Sequence, residues 1–348
     1  MTPDNRMAVG SVPKKMAVSP STATGSNDTT KVDGVSASGH SNVRRGLRAF
    51  AGRKRTRELT LVWVFLAPSL FIFALYRIIP LIWNGVLSFQ HWSPYKPAEF
   101  AGLYHYEEML IYDEAFREVL WNTVLFMASA PIGIFLALGI AILVDSPVRG
   151  RNIYRTIVFI SYPVMTVAVG VIWQWLFNEK VGLINYILLS LGVIDQGIPF
   201  LESFDYALPA VIVASIWQVI GFYMIILLTG LQGIPPNLYE AASIDGASRW
   251  QQFRRITMPL LRPSLFLCFV VGIINSFTAF DLIFVMTGGG PGRSTDLLIT
   301  YIYSSAFKLS QFDYAAAMTV VNFLLFLALA LIGNRLAGGD AGAVKTGG

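Results

Sequence analysis

Six stretches of this 348-residue chain are long and apolar enough to cross a bilayer, and that constrains its fold more than any single motif. They cover residues 61–88, 119–143, 156–177, 206–231, 263–286 and 315–336. A hydrocarbon core about 30 Å thick is spanned by roughly 20 helical residues. Composition agrees: 54% of residues are hydrophobic and 14% charged, with a mean hydropathy of +0.57. Soluble domains are about a quarter charged. Backbone polar groups inside lipid find no water, so each crossing must satisfy its own hydrogen bonds as a helix. The expected fold class is therefore all-α, a polytopic membrane protein with six transmembrane helices. Proline and glycine within several stretches are tolerated where neighbouring helices pack. Arg77, inside the first stretch, is expected to snorkel towards the outer interface.

The basic residues set the orientation. A net charge of +5 invites a nucleic-acid reading, but the charges lie between apolar stretches rather than along one face. Seven of them, Arg44, Arg45, Arg48, Arg53, Lys54, Arg55 and Arg57, stand just before the first stretch. The 144–155 connection carries Arg149, Arg151 and Arg155, and 232–262 carries Arg249, Arg254, Arg255 and Arg262. The alternate connections hold only Lys96 and Arg117, then Lys180, then Arg293 and Lys308. This alternation places both termini in the cytoplasm.

Residues 1–43 lack periodicity and read as disordered, so 1–58 is expected to be a tail ending in the basic run. Residues 59–336 form the membrane domain, and 337–348 a short C-terminal tail. The first apolar stretch is too long for a signal-peptide core and is expected to stay as an anchor. Glu99, Glu107, Glu108, Asp113, Glu114 and Glu118 crowd the first outer connection and read as solvated surface facing an extracytoplasmic partner. Cys268, the single cysteine, lies in an apolar run and has no expected role. Three histidines without ligand spacing give no expectation of a metal site.

Between the fourth and fifth stretches, residues 235–263 are polar, basic and prone to helix. Pro235 and Pro236 stop the incoming helix, and Asn237 is placed to cap a new one. Leu238, Ala241 and Ala242 then share a face, with Glu240 and Asp245 offered to basic partners. Gly246 supplies a bend. After it, Trp250, Phe253 and Ile256 recur at helical spacing beside Arg249, Arg254 and Arg255. Pro259 and Pro263 then lead into the membrane. Two short helices at a glycine bend make a knob that fits a groove in a soluble partner; an interfacial helix lying on lipid is the competing reading. Thr287-Gly288-Gly289-Gly290-Pro291-Gly292 breaks the fifth helix and lets the backbone turn closely or re-enter. It lacks the GK[ST] ending of a phosphate-binding loop, so it is not read as one.

The order EAA, three residues, Gly246, nine residues, Ile256-Thr257-Met258-Pro259 resembles the EAA loop of membrane subunits of binding-protein-dependent ABC importers. The one departure is Met258, where leucine is usual. The longer form YEAASIDGASRWQQFRRITMPLLRP is similar to the carbohydrate-uptake branch, with maltose, trehalose and glycerol-3-phosphate systems. LAPSLFIF, Pro80 with Ser88-Phe89, and Phe280-Asp281 before TGGGPG extend the likeness over about residues 59–336.

The resemblance implies a type I importer permease in a bacterial or archaeal plasma membrane, working by alternating access. It implies that Glu240, Ala241, Ala242, Asp245 and Gly246 dock in a cytoplasmic ATPase, braced by Ile256 and Pro259. It implies a second, homologous permease subunit, two ATPase copies and an extracytoplasmic solute-binding protein. ATP and Mg would be bound by the ATPase, so this chain needs no cofactor and is not an enzyme.

Sugars need hydrogen-bonding groups beside aromatic platforms. The fourth stretch offers Ser215, Trp217, Gln218, Phe222 and Tyr223, and the fifth Asn275, Ser276 and Thr278. By similarity to the maltose transporter's larger membrane subunit, these turns overlie sugar contacts. Interhelical hydrogen bonding is the equal alternative for Gln218, Asn275 and Ser276, and the expected role of Asn322. Asp281 either joins the pocket or ties down the glycine loop. A secondary transporter would carry several coupling acids in mid-membrane, and only Asp281 is a candidate. An importer of peptides or polyamines is the nearer rival.

Overall fold

The computed structural model describes residues 62–94, 96–146 and 150–338. The expected 1–58 tail with its basic run, Arg149, and residues 339–348 of the C-terminal tail lie outside the described residues. The chain divides into two units, Met1–Phe71 and Ile72–Gly348. In the first, residues 62–71 are helical and exposed.

Among the described residues, five helices are long and apolar enough to cross a membrane. The first is α1, Val62–Leu87, with a π turn at Ala74–Ile78 that carries Arg77 exposed in mid-helix. The second crossing, Glu114–Asp145, is α2 (Glu114–Met127) and α3 (Ser129–Asp145), joined at Ala128.

The third stretch departs from expectation. Residues 156–177 do not form one helix: α4 (Arg151–Phe159) and α5 (Thr166–Leu176) flank a turn. Pro163 is the cause. It has no N–H to give and excludes the helical carbonyl behind it, and it pushes Tyr162 out of the helical region. Ser161 reinforces the stop by donating to the Val158 carbonyl at 3.1 Å. A short helix, α6 (Leu183–Ser190), precedes the fourth crossing, α7 (Ala207–Gln232).

The fifth stretch also differs. Its helix starts well before residue 263: α8 (Pro236–Ile244) is followed by α9, continuous over Arg249–Phe277. Pro259 and Pro263 lie within α9 rather than at its entrance, and Pro259 follows directly on a π turn at Phe253–Thr257. Met258 N–H reaches back to the Phe253 carbonyl. After Thr278 the chain restarts as α10 (Phe280–Met286), then α11 (Leu298–Tyr303) and the last crossing, α12 (Phe312–Gly338). Among the described residues, two elements are not helical: β1 (Gln90–Ser93) pairs antiparallel with β2 (Lys96–Phe100) in register Gln90 to Phe100 and His91 to Glu99.

The helix α7 is the centre of the packing. It lies along α3, and both meet α9. Ile134, Ala137, Leu138 and Ala141 of α3 bury against Met224, Leu227 and Leu228 of α7 and Leu261 and Cys268 of α9. Without a hydrophobic force between helices in lipid, close approach supplies the attraction, and small residues permit it. A Cβ on Gly221 would stand 2.4 Å from the Val158 carbonyl oxygen and 2.7 Å from the Phe159 Cα. That is contact with backbone, so α4 ends directly against α7. Gly139 has nothing within 4 Å of its Cβ position. Gly221→Ala is expected to lower stability by about 1–3 kcal/mol through overpacking, and Gly139→Ala to leave it unchanged. Thermal unfolding of the purified protein in detergent reads the difference.

The start of α7, from Leu208 to Ala214, belongs to a second core, and a third contains no residue of α7. Phe126, Val169, Val211, Ile283, Met286 and Leu297 form one. Met109, Phe116, Val119, Leu298, Tyr314 and Met318 form the other. Asp113 fastens the latter. Its carboxylate caps α2 by accepting from the Phe116 N–H at 3.0 Å, and takes the Tyr301 and Tyr314 hydroxyls at 2.8 and 2.5 Å. This carboxylate is therefore a structural acceptor, not the solvated loop acid expected from its neighbours in sequence.

Burial pulls the Asp113 proton affinity up, but bonds from Tyr314, Tyr301 and the backbone outweigh it and hold the carboxyl below the usual value. A folded carboxyl that binds its proton more weakly than the unfolded one stabilises fully above the ordinary carboxylate range, and loses that stabilisation in acid. Asp113→Asn should therefore melt below wild type at neutral pH, with the gap holding down to about pH 4 and narrowing as pH falls further. A gap that stays constant below about pH 4 would contradict this role.

Candidate functional site

Two constellations come from the sequence, and one helix connects them. The first is α8 and the start of α9. Pro236 sits at the first helical position and Pro235 is the N-cap, so Asn237 lies inside the helix rather than capping it. The helix stops at Gly246, with φ 80°. Ala247 N–H reaches the Ala242 carbonyl at 2.9 Å and Gly246 N–H the Ser243 carbonyl at 3.1 Å. This is the paired bonding of a Schellman ending, which needs a left-handed residue. Two residues on, Ser248 and Gln251 cap each other reciprocally at 2.7 and 3.3 Å, opening α9. Gln252 closes the bend by donating to Ser243 Oγ at 2.9 Å and to the Ala247 carbonyl at 3.2 Å.

The result is a rigid elbow with an unusual surface. Glu240, Ala241, Asp245 and Gly246 are exposed, and Ala242 is half-buried. Ile244 is 87% exposed and Trp250 67%. Two large apolar side chains so exposed on a polar connection mark a contact surface. The inner side is anchored: Ile256, Phe253 and Tyr239 pack on the α3, α7 and α9 core. The Tyr239 hydroxyl meets Thr257 Oγ1 at 2.9 Å. Pro259 is partly buried one turn further along α9.

The second constellation is a cavity of about 490 Å³ at the break in the third crossing. Ser215 and Gln218 face it from α7, Asn275 and Thr278 from the end of α9, and Asp281 from α10. The fourth wall is the turn itself, with Tyr162 and Thr166. Gln218 Nε2 donates to Thr166 Oγ1 at 3.0 Å and to the Val164 carbonyl at 3.3 Å, so the amide holds the turn open against α7.

Four expected pocket residues lie off this cavity. Ser215, Gln218 and Val219 share one face of α7 at spacings of three and four. Trp217 and Tyr223 are on other faces. Trp217 packs edge-on against Trp173 at 5.9 Å, and Tyr223, 1% exposed, fills the gap between Gly133 and Gly272. Phe222 lies one turn beyond Gln218 and stacks on Tyr162 at 4.5 Å. Ser276 is buried and donates to the Gly272 carbonyl at 2.9 Å within its own helix. Sequence reasoning missed Tyr162 and Thr166, since a continuous third helix was expected there; the Ser161-Tyr162-Pro163 triplet was the available signal.

Four further placements matter. The glycine loop folds inwards: Gly288, Gly289 and Gly292 have positive φ, and Asn122 Nδ2 donates to the Arg293 carbonyl at 2.8 Å. Asp281 is exposed at the cavity and is not the tie of that loop; Thr295 holds it, meeting Thr287 Oγ1 at 2.7 Å and the Gly290 carbonyl at 2.9 Å. The Asn322 carbonyl oxygen finds no hydrogen-bond partner among the described residues, so the expected interhelical bond is not formed through it. His91 and His105 converge on Asp313, an association that sequence spacing did not reveal.

Comparison with known proteins agrees with this architecture. Residues 129–338 match the family described as binding-protein-dependent transport system inner membrane component. A trehalose/maltose transport system permease protein of Thermococcus litoralis is 32% identical, over 79% of this chain and 93% of its own length. A diacetylchitobiose uptake system permease protein of Streptomyces coelicolor is 35% identical, over 85% of this chain and 90% of its own. Among solved structures, a bacterial ABC transporter that imports the acidic polysaccharide alginate aligns with a TM-score of 0.70 and 25% identity, covering 84% of this chain and 99% of that one. A bacterial alginate ABC transporter in complex with alginate pentasaccharide-bound periplasmic protein aligns with a TM-score of 0.70 and 25% identity, covering 82% of this chain and 96% of that one. An integral membrane protein with these helices, this elbow and these relatives belongs to the binding-protein-dependent transport system inner membrane components, the permease subunits of ABC importers rather than enzymes.

Proposed function

We propose that this subunit imports a sugar or sugar-like solute and takes its driving force through the α8–α9 elbow. The observation that carries the proposal is continuity. The exposed elbow opens α9, and the same helix ends at Asn275 and Thr278 in the cavity wall. Glu240, Ala241, Ala242, Asp245 and Gly246 form the docking face, with Ile256 and Pro259 bracing it from behind. Ser215, Gln218, Asn275 and Thr278 offer hydroxyl and amide groups to solute hydroxyls, and Tyr162 a ring face for the apolar side of a sugar. The relatives' names support a carbohydrate.

The complete importer, on this reading, adds a second homologous permease subunit, two ATPase copies that bind ATP and Mg, and an extracytoplasmic binding protein. Both termini and the elbow face the cytoplasm, where the ATPases bind. Ile244 and Trp250 then find apolar cover in the ATPase groove. Closure of the ATPase pair pushes the elbow and reorients the helices around the cavity, alternating its access.

Two tests separate the parts. Glu240→Lys, and Gly246→Pro at a φ that proline cannot adopt, should abolish uptake and weaken ATPase association while membrane insertion persists. Normal uptake by both variants ends the docking assignment. Gln218→Ala or Asn275→Ala should lower solute-stimulated transport with the complex still assembled. If both transport like wild type, these amides only bond neighbouring helices and the solute path lies elsewhere.

A further inference from the structure

Two of the chain's three histidines meet one carboxylate from the far end of the sequence. His105 Nε2 lies 3.6 Å from Asp313 Oδ2, and His91 Nδ1 lies 4.0 Å from the same oxygen. All three ligand atoms fall within 4.8 Å of one another. The elements that bring them are β1, the helical turn Tyr104–Glu107 and the first turn of α12.

The geometry is built rather than incidental. Asp313 Oδ1 accepts the Tyr314 N–H at 2.9 Å and Oδ2 the Trp92 N–H at 3.1 Å, which aims the carboxylate at the rings. His105 is 3% exposed, and its Nδ1 has no hydrogen-bond partner among the described residues. Its Nε2 donates to the Gln90 carbonyl at 3.1 Å, and moving that proton to the unpartnered Nδ1 frees Nε2 as a ligand. His91 is half-exposed and can adjust. Zinc bonds of about 2.0–2.2 Å to nitrogen and oxygen put tetrahedral ligand atoms roughly 3.4 Å apart, so closing the present spacing needs only side-chain rotation. A cavity of about 450 Å³, lined in part by His105, Asp313 and Glu108, gives an ion a way in.

We propose that His91, His105 and Asp313 form a binding site for a divalent transition metal of the zinc type. Two imidazole nitrogens with one carboxylate suit that class and disfavour magnesium or calcium, which prefer oxygen ligands. Bound there, the ion fastens the β1–β2 hairpin to the start of α12.

The test uses the full-length subunit in its assembled complex, purified without a polyhistidine tag and stripped with EDTA. Cobalt(II), a spectroscopic stand-in for zinc, should give visible absorption bands that added zinc bleaches, and zinc should raise the melting temperature. His105→Ala should lose both responses. His91→Ala, at a half-exposed position that tolerates truncation, should weaken cobalt binding by about tenfold or more while melting like metal-free wild type. Equal cobalt spectra and equal zinc-induced melting shifts in wild type and both variants would overturn the proposal. So would a wild type that responds to neither metal.

Discussion

Everything in this permease is arranged around the backbone contact of α4 with α7 at Gly221. Water cannot compete for polar groups inside lipid, and lipid tails are as apolar as leucine, so helices are held by fit and by shared hydrogen bonds. Gly221 lets the end of α4 come within backbone distance of α7. Gly272 does the same for α9, where an added Cβ would lie 2.6 Å from Ala130 Cβ and 3.1 Å from the Tyr223 hydroxyl. Tyr223 thus works as a spacer between α3 and α9. With α4 seated against α7 and stopped by Pro163, the break in the third crossing opens the cavity.

Breaking a helix at membrane depth frees carbonyls that must be paired again. The chain uses the side chains it has nearby. Gln218 Nε2 takes the Val164 carbonyl, and Ser161 Oγ takes that of Val158. Gln218 therefore both holds the wall of the cavity and faces its interior. This explains why polar groups in the fourth crossing resist division into structural and solute-binding sets. On the proposed reading, a group that stabilises the opening is also positioned to meet the solute.

Much of this was legible in the chain. Long apolar stretches gave the crossings, and α1 and α7 end within a residue or so of their expected bounds. The bend at Gly246 was readable because only a left-handed residue finishes α8 in that way. What failed had common causes. Pro259 and Pro263, expected at the entrance of the fifth crossing, lie inside a continuous helix, while Pro163, inside an expected helix, stops one. Hydropathy alone does not distinguish the two, since the outcome depends on whether a neighbour accepts or supplies the stranded hydrogen bond. The pocket was half legible. Residue type marked the polar side chains of α7, but which face looks inwards is set by α3 and α9, and that is a tertiary fact. Likewise, the histidines could not be paired by spacing, because their shared carboxylate enters from α12 more than two hundred residues away.

The unbroken run of α9 has a mechanical meaning. At about 1.5 Å per residue, its 29 residues make a rod roughly 43 Å long, seated at one tip in the elbow and at the other beside Asn275. A rod does not stretch, so it conveys displacement by tilting: rocking it by about 5° carries the far tip nearly 4 Å. The π turn and Pro259 fall within its first eleven residues, beside the elbow, and Pro263 at its midpoint, so the half nearest the cavity has no interruption. Compliance is therefore concentrated at the handle, and the working end stays stiff.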